Sequence, residues 1–158
     1  MGEIRTFRDL VVWRKAMALV TEIYRHTKSF PKDETYGLIS QIRRSAVSIP
    51  SNIAEGFGRH ATNDYVRFLR ISMGSLFELE TQIEISRNLG YLNKAEFEIL
   101  DSSCREIERM ISSLIRKIRN KGVKQEQRRR GTISKRDKGT EEQRHRVKNK
   151  DWIITLPL

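Results

Sequence analysis

Four blocks of this chain repeat apolar residues at alternating steps of three and four, and no stretch alternates with period two over the length of a strand. That regularity restricts the chain to helices with one apolar stripe each, which must bury those stripes against one another. The first block aligns Leu10, Trp13, Met17, Val20, Tyr24 and Thr27, opens at Thr6 with Asp9 three residues on, and stops at Phe30-Pro31. The second aligns Ile39, Ile42, Ala46, Ile49 and Ile53 and runs out at Gly56 and Gly58. The third starts near Thr62, carries Asp64 in its first turn, aligns Tyr65, Leu69, Ser72, Leu76, Leu79 and Ile83, and closes at Gly90. The fourth opens at Asn93 with Glu96 at capping-box spacing, and sets Phe97, Leu100, Cys104, Ile107, Ile111, Leu114 and Ile118 in heptad register. Short connections make successive helices antiparallel. The expected fold is all-α, an up-down antiparallel four-helix bundle.

Three features exceed what a plain bundle needs. Pro50 lies inside the apolar phase of the second helix, where it removes a backbone hydrogen bond and crowds the carbonyl of Ala46; a kinked or restarted second helix is expected. Gln41, Ser45, Ser48, Asn52 and Glu55 form a polar line beside the apolar one. Small hydroxyls there can serve the backbone near the kink, meet a neighbouring helix or subunit, or face water. Finally, Val11, Ala16, Leu19 and Ile23, then Ile71, Met73 and Phe77, then Ile99, Met110 and Ile115 lie outside the main stripes. Such surplus apolar surface predicts burial against further copies of the chain, hence a homo-oligomer.

The pattern changes after about residue 120. Residues 121–158 hold 12 Lys+Arg and 5 Asp+Glu, and between Val123 and Asp151 the only aliphatic side chains are Val123, Ile133 and Val147. A stretch so poor in apolar residues cannot offset its ordering entropy. The domain reading is therefore 1–120 as the bundle and 121–158 as a basic, disordered tail, ending in an apolar WIITLPL that is either a docking peptide or an unselected extension. No apolar run is long enough to span a bilayer, so no membrane partner is expected. The opening MGEIRTFRDL lacks a signal-peptide core, and a lone cysteine fits a reducing compartment; together they predict a cytoplasmic protein.

Catalysis finds no support. No Glu is followed by His three residues on, as a di-iron bundle needs, and His26, His60 and His145 fall at a helix end, in a loop and in the tail, amid basic neighbours. Cys104 sits on an apolar stripe, as a buried cysteine would. GFGR at 56–59 lacks the spacing and lysine of a phosphate loop. The expectation is no enzyme, no catalytic residue, no metal and no cofactor.

Charge points elsewhere. The chain carries 31 Lys+Arg against 20 Asp+Glu, a formal net charge of +11. Arg43, Arg44, Arg59, Arg67 and Arg70 on the bundle, with Arg128, Arg129 and Arg130 in the tail, are the candidate contacts to RNA or DNA. Contacts of this kind hold phosphates and do not read bases. No zinc finger, RNP motif or helix-turn-helix is present in the sequence. A protein-interaction scaffold, with charge serving solubility, is the alternative.

The segments FRDLVVWRKAMALV, YGLISQIRRSAVSIPSNIAEGFGR and DYVRFLRISMGSLFELETQ, with the closing LGYL, resemble the 23S rRNA intervening-sequence protein family of bacterial four-helix-bundle proteins. The likeness spans about residues 5–120, and its most specific stretch is QIRRSAVSIPSNIAEG, which carries Gln41, Arg44, Ser48, Pro50, Asn52, Glu55 and Gly56. It implies a small homopentamer. A related branch, the accessory variability protein of diversity-generating retroelements, implies a reverse transcriptase as a partner. The resemblance carries nothing over to the chain beyond Lys121.

Overall fold

The computed structural model describes residues 4–59 and 61–148, with side chains as far as Lys124. Its four helices are α1 (Val11–His26), α2 (Leu38–Phe57), α3 (Thr62–Asn88) and α4 (Lys94–Lys148), preceded or joined by single 3-10 turns at Phe7–Asp9 and Lys32–Glu34. The described residues contain no strand. Contacts run in opposite directions along two of the helix pairs. Ser45 meets Gln82 and Ile49 meets Ser72 across α2 and α3, while Lys15 pairs with Glu106 and His26 with Glu96 across α1 and α4. The four-helix all-α fold expected from the periodicity is the one observed.

Local chemistry explains the helix ends. Asp9 accepts from the backbone N–H groups of Arg5 and Thr6, which tightens the entry into a 3-10 turn before α1 begins. Glu34 accepts from the Leu38 N–H at 3.0 Å and so caps α2 with a side chain from the preceding turn. Gly90, at φ +75, ends α3 in the left-handed conformation that glycine adopts without strain. Asn93 and Glu96 then bond each other's backbone N–H reciprocally, the expected capping box at the start of α4.

The core follows the predicted stripes of α2, α3 and α4: Ile42, Ala46, Ile49, Ile53, Leu69, Leu76, Leu79, Leu100, Cys104, Ile107 and Ile111 are all essentially inaccessible to solvent. Each large aliphatic among them contributes about 1.5–3 kcal/mol through burial. In α1 the expectation is off by one position. Val12, Ala16, Leu19 and Ile23 are buried, whereas Met17 and Tyr24 are about two-fifths exposed and Trp13 and Val20 only half-buried. Two neighbouring apolar lines of equal period run along α1, and periodicity alone cannot choose between them.

α2 runs continuously through Pro50 and ends at Phe57, between Gly56 and Gly58, where the sequence places its run-out. Gly56 also serves packing: a Cβ there would lie 2.8 Å from Phe68 Cβ and 2.9 Å from the Tyr65 ring, so the glycine lets α2 and α3 approach closely.

The chain divides into two compact units, residues 1–119 and the segment from Asn120 onward. The backbone of α4 is helical to Lys148, while the side chains beyond Lys124, where composition predicts a basic disordered tail, lie outside those described. What ends near Asn120 is the apolar stripe, while the abundant Lys, Arg, Glu and Gln beyond it are good helix formers and no proline intervenes before Lys148. WIITLPL and the other residues past Lys148 lie outside the described residues.

Candidate nucleic-acid interface

The five bundle arginines do not stand alike. Arg43 is half-buried, donates its Nε to Thr27 Oγ1 at 2.9 Å and lies 4.7 Å from the centre of the Tyr24 ring. Arg44 stands 3.8 Å from Glu78. Arg59 pairs with Glu55 one turn earlier and covers the Phe68 ring at 4.9 Å. These three are engaged within the fold. Arg67 and Arg70, exposed on the first half of α3, make no ion pair among the described residues.

Arg67 and Arg70 line an open groove of 430 Å³ together with Asn63, Val66, Ile71 and, from α4, Arg119. Arg119 is a residue that sequence reasoning missed. Its signal is an absence: no acidic residue lies three or four positions to either side, so the helix offers it no local partner. The same holds for Arg70, while Arg67 has Asp64 within that reach and no ion pair joins them. Arg128, Arg129 and Arg130 lie on the backbone of α4, and their side chains are outside those described.

The polar line of α2 splits. Ser45, buried, donates to Gln82 Oε1 at 2.6 Å, and Ser48 shares a 2.9 Å hydrogen bond with Ser75. Asn52 donates back to the Ser48 carbonyl and hydroxyl. From the facing helix, Ser72 donates to the carbonyl of Ile49, beside Pro50, which is itself buried. Gln41 and Glu55 are exposed. The middle of the line therefore joins α2 to α3, and its two ends face outward. Nearby, the Tyr65 hydroxyl is buried with no partner among the described residues, and burial pushes its pKa up to about 12.

On its other flank α2 forms an apolar groove with α1. Phe7, Trp13, Met17, Val20, Val47, Pro50 and Ala54 line a space of 350 Å³. Met17, Tyr24 and Val47 are each at least two-fifths exposed along this face. Ile71, Phe77 and Ile99, from the surplus apolar set, are exposed on α3 and α4.

Cys104 is fully buried, and desolvation, with Glu80 and Asp101 nearby, drives its thiol well above the ordinary range; the thiolate a nucleophile needs is suppressed. His26 departs from the basic neighbourhood expected of it: it lies 3.9 Å from Glu22 and 3.4 Å from Glu96. His60, and the side chain of His145, are outside the described residues. Among the described residues no group of three His, Cys, Asp or Glu side chains could hold a metal ion, and no helix is long and apolar enough to cross a membrane.

Comparison with known proteins adds two findings. Residues 8–113 match the family model described as 23S rRNA-intervening sequence protein. A protein of unknown function from the S23 ribosomal protein family of Bacteroides thetaiotaomicron VPI-5482 has a similar fold, with TM-score 0.62, 23% identity, and coverage of 67% of this chain and 96% of that one. No curated protein matches the chain.

Proposed function

The chain belongs to the 23S rRNA-intervening sequence protein family, and from that premise we propose that it is a non-catalytic, cytoplasmic, homo-oligomeric bundle that associates with RNA or DNA through basic surfaces. The observation that carries the reading is the division among its arginines: where Arg43, Arg44 and Arg59 each engage a neighbouring side chain, Arg67 and Arg70 are left exposed with no carboxylate partner among the described residues. Unpaired guanidinium groups on a chain of net charge +11 favour a polyanion and release its counterions on binding. The exposed apolar face of α1 and α2 supports self-association, because a patch of this kind is covered by a partner in most soluble proteins that carry one. By family resemblance the assembly is a five-membered ring.

Titrating labelled RNA and DNA into the full chain over a range of salt concentrations tests the binding. Log affinity is expected to fall linearly with log salt, and no binding near physiological salt overturns the reading. Light scattering tests the assembly, which a monomer at micromolar concentration overturns. The apolar face also favours a second reading, a scaffold for a protein partner such as a reverse transcriptase. A monomeric chain that binds neither nucleic acid puts that reading in front.

A further inference from the structure

Resting on the nucleic-acid reading above, we propose that the groove between the start of α3 and Arg119 of α4 seats a single nucleic-acid strand, with phosphates on Arg67, Arg70 and Arg119 and a sugar or base face against Ile71. Three guanidinium groups from two helices line this one groove, and none is neutralised by a carboxylate among the described residues. Elsewhere on the bundle Arg25, Arg87 and Arg105 each pair with an acidic residue three or four positions away on the same helix, whereas Arg14, Arg109 and Arg116 also make no ion pair among the described residues. The groove brings three such groups from two helices together.

The floor decides between strand and duplex. A duplex turns mainly phosphates and sugar edges toward a shallow surface and keeps its base faces stacked. It would leave Ile71, 42% exposed, in water. A single strand has unstacked bases whose faces can cover an aliphatic side chain, and arginine planes stack on bases as well as binding phosphates. Asn63, at the second residue of α3, adds an amide that bonds phosphate oxygens or base edges without adding charge.

The test uses the full chain and a labelled oligouridylate, alone and annealed to its complement, in a salt series followed by fluorescence anisotropy. R67Q/R70Q/R119Q is compared with R25Q/R87Q/R105Q, which removes the same charge from locally paired positions. The groove variant is expected to flatten the single-strand salt slope by about 2, at roughly 0.7 per phosphate contact, and the control to leave it unchanged. I71S is expected to weaken single-strand binding several-fold while leaving the slope and the duplex affinity as they were. Equal losses in the two triple variants, or no effect of I71S, overturn the proposal while leaving the parent reading intact. An unaltered chain that binds neither probe overturns both. Thermal melts of each variant confirm that the bundle is retained.

Discussion

Helix α2 has two flanks built on opposite principles. Toward α3 it offers Ser45, Ser48 and Gly56, small residues that let the helices close and hydroxyls that bond across the seam. Toward α1 it offers Val47, Pro50 and Ala54, which leave an open apolar groove. Close approach with satisfied polar groups makes a finished contact. Bulky apolar groups left partly in water make an unfinished one, and the contrast separates a sealed seam from a face with apolar surface still open.

The sharpest way to break the contrast is at Gly56. Placing valine there drives a branched side chain into Phe68 and Tyr65, and overpacking of this kind costs about 3 kcal/mol. Chemical denaturation should reveal the loss; an unchanged midpoint would mean that the α2–α3 seam is looser than its distances. A smaller effect is expected from S45A, which leaves the buried oxygen of Gln82 without its donor and should cost about 1–3 kcal/mol. Glu55, exposed and paired with Arg59, provides the internal reference: E55A should change stability by no more than about 0.5 kcal/mol.

The α1 flank should respond in the opposite sense. Met17 and Val47 are exposed, so M17S/V47S should alter the intrinsic stability of a dilute chain by little, about 0.5 kcal/mol per position. Its effect belongs in the concentration dependence. The unaltered chain should melt at rising temperature as concentration increases, and the double variant should lose that rise. If both melt alike at every concentration, the apolar groove is not where copies meet.

Much of this architecture can be read from residue order alone. The stripes of α2, α3 and α4, the turn at Gly90 and the capping box at Asn93 were legible because each depends on neighbours within one or two turns. α1 was not, because Trp13 and Met17 are as apolar as Leu19 and Ile23, and only the packing partners distinguish the two lines. At Gly56 a second role stayed hidden for a related reason: that a glycine near a helix end also permits close approach shows only once the facing helix is in place. The polar line of α2 left its destination open, since a serine does not announce whether water, a helix or a subunit will receive its proton. At the candidate site, Arg67 and Arg70 were visible as charge, but their junction with Arg119 joins residues about fifty positions apart and is a product of the fold.

The hydrogen bonds between α2 and α3 have a consequence for axial alignment. An apolar stripe that repeats every turn or two packs almost as well after a slip of one repeat, because one aliphatic side chain replaces another. Ser45 opposite Gln82, Ser48 opposite Ser75 and the Ile49 carbonyl opposite Ser72 tolerate no such slip, since each displaced donor or acceptor would face hydrocarbon. They act like the teeth of a key, indifferent to how strongly the helices attract but selective for a single depth of insertion.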